Sequence, residues 1–171
     1  MAPPAADDGG SRRIELLQVP VALWARADDE AQDLMREFAV IVLNRDRVAS
    51  DVPARLLELI KELQASYGPV GEAQAARLEQ ARAEEQPSIE RLSYEVPAGI
   101  GDDVRRLAEM LDEADEYCRS GQLLLSLATS PGAKAFRDWF FDEFHRQLDG
   151  EEPTPWPSSR FATQIREAVS E

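Results

Sequence analysis

Between Val21 and Leu43 the residues Leu23, Trp24, Ala27, Ala31, Leu34, Met35, Phe38 and Val42 recur at steps of three and four, with Asp28, Asp29, Asp33, Arg36 and Glu37 outside the stripe. This spacing puts the apolar side chains on one helix face, and a helix so long and one-sided has to lie on a core. The chain is therefore expected to fold around a helical spine. Upstream of it, Pro20 holds the preceding residue extended, so the apolar run Ile14 to Val19 reads as a short strand.

The remaining elements follow from the same patterns. Asp51 before Pro53 marks the start of a second helix with Leu56, Leu57, Ile60, Leu63 and Tyr67 as its stripe, and Gly68-Pro69 ends it. From Gly71 to Glu85 the helical pattern is weak, since Leu78 is its only large apolar residue, and that helix belongs on the periphery. Leu92, Tyr94 and Val96 alternate with Arg91, Ser93 and Glu95, which makes Ile89 to Val96 the clearest strand. Asp102 and Asp103 suit a helix N-terminus, and Val104, Leu107, Ala108, Leu111, Ala114 and Cys118 form the stripe behind them. The run Leu123 to Ala128 fits a buried strand, with helix not excluded by periodicity. Thr129, Ser130 and Pro131 cap a last strong helix carrying Ala133, Phe136, Trp139, Phe140, Phe144 and Leu148, closed by Gly150.

The expected fold is α+β and predominantly α-helical, with five to six helices and a small sheet of two or three short strands. Residues 1–12 read as a disordered leader and 13–150 as a single globular domain. Residues 151–171 read as a Pro-rich linker and a short C-terminal amphipathic helix bearing Phe161, Ile165, Ala168 and Val169. That helix is too short to be stable alone and packs either on this domain or on another molecule. A displacement of 77 residues sets Val19-Pro20 on Val96-Pro97, and Ala27, Ala31, Leu34 and Ile41 on Val104, Ala108, Leu111 and Cys118. Either two β-to-α junctions are punctuated alike by proline, or a strand-helix unit occurs twice.

Charge and composition narrow the function. The chain has 171 residues and a formal charge of −14, a field that repels nucleic acid and anionic lipid alike. Its single cysteine forms no internal disulfide, no apolar run approaches the roughly 20 residues of a spanning helix, and no signal-peptide pattern opens the chain. A cytoplasmic protein is expected. One histidine, His145, and one cysteine, Cys118, do not make a tetrahedral metal site. Asp112, Glu113, Asp115 and Glu116 lack the loop spacing of a calcium site and read as a solvated helix face. The glycines of PAGIGDD, Pro97 to Asp103, are followed by two acids that oppose a phosphate. Cys118 ends an apolar stripe and reads as a buried structural thiol, so no nucleophile-base pair emerges. No enzyme, metal or cofactor is expected.

The aromatic group Phe136, Trp139, Phe140, Phe141 and Phe144 widens the apolar face of its helix, because Phe141 departs from the main stripe. It serves either the core or a partner surface continued by Trp156 and Phe161. Trp139, Phe141, Trp156 and Phe161 are the candidate partner-binding residues.

The phrases VPARLLELI (Val52 to Ile60), DEADEYCRSGQLLLSLATSP (Asp112 to Pro131), FRDWFFDEFHRQLDG (Phe136 to Gly150) and PTPW (Pro153 to Trp156) resemble an uncharacterised actinobacterial family. The likeness spans most of residues 13–156. Members of that family accompany anti-sigma-factor ATP-binding kinases, their STAS-domain antagonists and the matching phosphatases. The resemblance implies an accessory role in anti-sigma partner switching, with a kinase, STAS protein or sigma factor as partner. It carries no catalytic residues, and the asparagine helix and DxGxG loop that hold Mg-ATP in those kinases are absent here. The expected function is thus a non-enzymatic cytoplasmic regulatory protein acting by protein-protein interaction. The alternative is a small-molecule-sensing domain with an apolar pocket between helices and sheet.

Overall fold

The computed structural model describes residues 10–44, 50–120 and 128–156. Two strands and five α-helices follow in the order β1 (Ser11–Pro20), α1 (Val21–Leu43), α2 (Val52–Tyr67), α3 (Glu72–Ala83), β2 (Ser88–Pro97), α4 (Gly101–Arg119) and α5 (Pro131–Leu148), with a 3-10 turn at Ala98–Ile100 leading into α4. The fold is α+β and mostly helical, as the periodicities require. The stretch Leu123 to Ala128 lies almost wholly outside the described residues, as does Phe161 with the expected C-terminal helix.

β1 and β2 pair antiparallel along their full lengths, from Ser11 opposite Pro97 to Pro20 opposite Ser88. Ile14, Leu16 and Val19 of β1 face the core opposite Tyr94, Leu92 and Ile89 of β2. The inward face of both strands changes from even to odd positions at Gln18, whose backbone is left-handed (φ 56°), while the register stays one-to-one on either side of it. Both edges of this ribbon are closed by side chains and by the chain beyond α5. On β1, the Gln147 carboxamide accepts from Glu15 N and donates to Glu15 O, both at 2.8 Å, and Trp156 N donates to Leu17 O at 3.0 Å. On β2, Gln74 Nε2 of α3 donates to Ser93 O, and Arg77 Nη1 donates to Arg91 O at 2.8 Å. Unpaired strand groups are thereby satisfied without further strands.

The displacement of 77 residues reappears in the architecture. Moved by that amount, Ser11–Pro20 falls on Ser88–Pro97, and the start of α1 falls on the 3-10 turn that leads into α4. Each strand is followed by two long helices: α1 packs on α2 and α5, and α4 packs on α5 and α2. The domain is thus two interlocked β-α-α units, with α3 inserted between them. One core cluster joins the sheet, α3, α5 and Trp156; the other joins α1, α2 and α4 around Phe38, Leu56 and Cys118.

Three local expectations are corrected. Asp51 does not cap α2, because its backbone is already helical and its carboxylate faces Arg55 at 3.7 Å; Ser50 Oγ accepts from Val52 N instead. Gly68 continues the helical turn (φ −47°), and Gly71 (φ 95°) supplies the left-handed residue. Asp115 is not part of a solvated face, although Asp112, Glu113 and Glu116 are exposed. It is 1% exposed, accepts from Thr129 Oγ1 at 2.5 Å, and pairs with Arg137 at 2.6 Å, which ties α4 to α5. Ser130 does cap α5, accepting from Ala133 N.

Beyond α5 the chain doubles back through Gly150 (φ 92°) as an extended strap. Glu143, 1% exposed, anchors it by accepting from Thr154 N at 2.9 Å while Arg146 Nη1 and Gln147 Nε2 hold its two oxygens. The Trp156 ring then seats against Trp139 (5.4 Å between centroids) and Phe136 (6.1 Å). Trp156→Ala should lower the unfolding free energy by ~3–5 kcal/mol, read from urea denaturation. A loss below about 1 kcal/mol would mean that the strap merely lies on the surface.

Candidate functional site

A cavity of about 230 Å³ lies between the end of α2, β2, the start of α4 and the second half of α5. Strand alternation turns Tyr94 and Val96 toward it, and Pro97 with the 3-10 turn carries the chain across one end, so that α4 presents Val104 and Leu107 along a second wall. Leu63 and Tyr67 of α2 form a third. They belong to the stripe expected for α2, yet they are only half-buried because that face borders the hollow; Val52, Pro53, Leu56 and Leu59 are the residues α2 buries fully.

The fourth wall is aromatic. Phe140 stacks on Phe144 at 4.8 Å, and Tyr94 meets both rings edge-on at 6.0 and 5.3 Å. Phe141 stands edge-on to Phe140 at 5.7 Å and reaches the same cavity. Such pairs fix one another's orientation, so the wall has a defined shape.

One polar pair interrupts this lining. Tyr67 Oη donates to Asp103 Oδ2 at 2.7 Å. The bond to the carboxylate, with burial adding to it, raises the Tyr67 phenol above its usual range, so the proton stays on tyrosine and Asp103 is the acceptor. The other carboxylate oxygen of Asp103 lies 3.5 Å from Arg106, which is also drawn toward Glu62 at 3.7 Å. Burial alone holds the Tyr94 phenol well above its ordinary value.

The chain matches no protein-family model, no curated protein and no solved structure. What the cavity can do therefore follows from its own chemistry.

Of the candidate partner-binding residues, Trp139 and Trp156 are buried against each other in the core, Phe141 is half-buried at the cavity, and Phe161 is outside the described residues. The structure brings Trp139 and Trp156 together and leaves Phe141 apart from them. The aromatic helix face turns inward, because the strap covers the side that periodicity left open. Tyr67 and Asp103 were legible only as a core-stripe residue and a helix-terminal acid; 36 residues apart in sequence, they carry no signal that they meet.

Phe140 and Phe141 also border a second hollow of about 290 Å³ among α1, α4 and α5. Its polar groups are engaged in the fold, since Glu30 accepts from Ser130 N at 2.9 Å and Arg137 binds Asp112 and Asp115. Among the described residues no group of three or more His, Cys, Asp and Glu is placed to hold a metal ion, and no helix is long and apolar enough to cross a membrane.

Cys118 is buried in the α1-α2-α4 cluster, where desolvation, with Asp115 and Glu37 adding to it, pushes its thiol up to about 11. At neutral pH it is a thiol and a poor nucleophile. Native protein should resist iodoacetamide at pH 7.5 and label on unfolding. Because the thiol is raised in the fold, its contribution to stability is complete below its usual value near 9 and is lost as the pH climbs through about 11. Urea denaturation across that window should fall more steeply for the native sequence than for Cys118→Ala, and equal slopes would contradict the burial.

Proposed function

We propose that this domain binds a compact, largely apolar small molecule in the cavity between α2, β2, α4 and α5, and that occupancy is the signal it passes on. The observation that carries this reading is the cavity's lining of aliphatic and aromatic side chains, in which Tyr67 and Asp103 are bonded to each other, an apolar concavity of the kind small molecules occupy. Its size is right for one substituted ring, since a cavity of about 150 Å³ already accepts benzene. The walls come from both β-α-α units, α2 from the first and β2, α4 and α5 from the second, so a bound molecule stabilises their association. The actinobacterial resemblance supplies a setting, in which the liganded domain acts as an accessory of anti-sigma partner switching.

A second reading, docking of a regulatory protein, draws support from the C-terminal end of α1, where Val40 and Leu43 are 58% and 84% exposed. These are the exposed large hydrophobics among the described residues, on a chain whose negative charge speeds encounter with a basic partner. If α1 docks a purified anti-sigma kinase, Leu43→Asp should abolish the complex in calorimetric titration.

The ligand reading is tested by thermal-shift screening with single-ring compounds. A true ligand raises the melting temperature with dose, worth about 2.7 kcal/mol at a hundredfold excess over Kd. Val104→Phe, which places a ring in the cavity, should remove the response while leaving the protein folded. Absence of any responding compound, or an unchanged response in Val104→Phe, would refute the reading.

A further inference from the structure

We infer that the occupant carries an unbranched alkyl arm, which runs from the cavity past Phe141 into the second hollow among α1, α4 and α5 while its ring stays among Tyr94, Phe140 and Phe144. The inference rests on the proposed ligand-binding role of the cavity and adds the length and shape of the occupant.

The two hollows are successive stretches of one trough between α4 and α5. Val104 and Leu107 of α4 line the first and Leu111 the second, at steps of three and four that keep them on one helix face. On α5, Phe144 lines the first, Ala133 the second, and Phe140 and Phe141 border both. At about 1.5 Å per residue, the α5 wall from Phe144 to Ala133 is roughly 16 Å long, well beyond the span of one ring. α2 covers the first stretch and α1 the second.

The two phenylalanines that part the hollows are not held equally. Phe140 is fixed by Tyr94, Phe136 and Phe144, at 6.0, 6.4 and 4.8 Å between ring centroids. Phe141 is half-buried, and Phe140, at 5.7 Å and edge-on, is the one ring it meets among the described residues. Changing the Phe141 rotamer therefore joins the hollows without disturbing the cluster around Phe140.

The chemistry of the trough suits a hydrocarbon arm. The lining of the first cavity is almost wholly apolar, and Asp103 is already engaged by Tyr67 and Arg106. A polar group on the ring would lose its water there and gain no partner. The second hollow is floored by Ala27, Leu34, Leu111 and Ala133, small or aliphatic side chains that leave the width of a methylene chain. Polar groups along its rim are taken up within the fold: Asp28 accepts from Gln32 Nε2 at 2.6 Å, and Thr129 donates to Asp115. Ala31, which also borders this hollow, is exposed. The arm thus ends beside water, and a terminal hydroxyl is satisfied there.

The test is a chain-length series, 3-phenylpropan-1-ol, 5-phenylpentan-1-ol and 7-phenylheptan-1-ol, titrated calorimetrically at neutral pH. Each step of two methylenes should tighten binding roughly tenfold. Ala27→Phe, which fills the second hollow, should bind the shortest member as the native chain does and erase the gain of the longer ones. Circular dichroism checks its fold, and should it not fold, Ala31→Phe at the exposed rim takes its place. Tryptophan emission reports the arm separately, because Trp24 borders the second hollow whereas Trp139 and Trp156 line neither. The two longer alcohols should shift that emission, the shortest should not, and Trp24→Phe should abolish the shift.

Equal affinities along the series would overturn the inference and leave the apolar-ligand reading standing. The same follows from a gain that survives in the folded filled variant, which would place the arm elsewhere, or from long alcohols that bind without changing Trp24 emission. Failure of all three alcohols when other single-ring compounds bind would also overturn the inference alone. If neither this series nor the wider set binds, the proposed function falls with it.

Discussion

A two-stranded antiparallel ribbon is only marginally stable in water, and the rest of this domain is arranged around that weakness. One face is buried by α5 and its neighbours, and the two edges are closed by different means. The carboxamide of Gln147 occupies both ladder positions of Glu15 as a neighbouring strand would, and Trp156 N continues the pairing at Leu17. On the opposite edge α3 reaches over with Gln74 and Arg77. The β2 edge is thus closed by the helix that follows α2, and the β1 edge by the last turn of α5 together with the chain beyond it. The buried Glu143 makes sense in this light, because its carboxylate turns the chain after α5 back toward β1.

The cavity follows from unequal closure. Behind α5 the strap delivers Trp156, whose indole fills the space beside Phe136 and Trp139. Behind α2 the chain turns at Gly71 and runs directly into α3, delivering no comparably large side chain, and the hollow between α2, β2 and α5 stays open. Two units of the same order therefore differ in what their trailing segments carry. The aromatic side chains of α5 serve both sides: Phe136 and Trp139 are packed by the strap, and Phe140, Phe141 and Phe144 face the opening.

Where the sequence was periodic it was informative. The stripe of α1, the alternation of β2 and the Ser130-Pro131 cap are local, and the structure contains all three. The displacement of 77 residues was visible at the proline junctions, and the order strand, long helix, long helix recurs with it along the chain. Legibility failed where polar groups are satisfied from afar. Asp115 looked like part of an acidic surface because its partners Thr129 and Arg137 are 14 and 22 residues away. Asp103 looked like a helix-terminal charge, which it also is. Trp139 and Trp156 were left between core and partner surface because nothing local announces that the chain folds back over α5.

The order in which the ribbon is closed bears on how the chain matures. Glu15 and Gln147 are 132 residues apart, so during synthesis β1 leaves the ribosome long before the groups that shield its edge exist. At ~5–20 residues per second that interval lasts roughly ten seconds, during which a nascent strand remains open to wrong pairing. Successful biogenesis thus depends on keeping the first strand from other chains until translation has passed the last tryptophan.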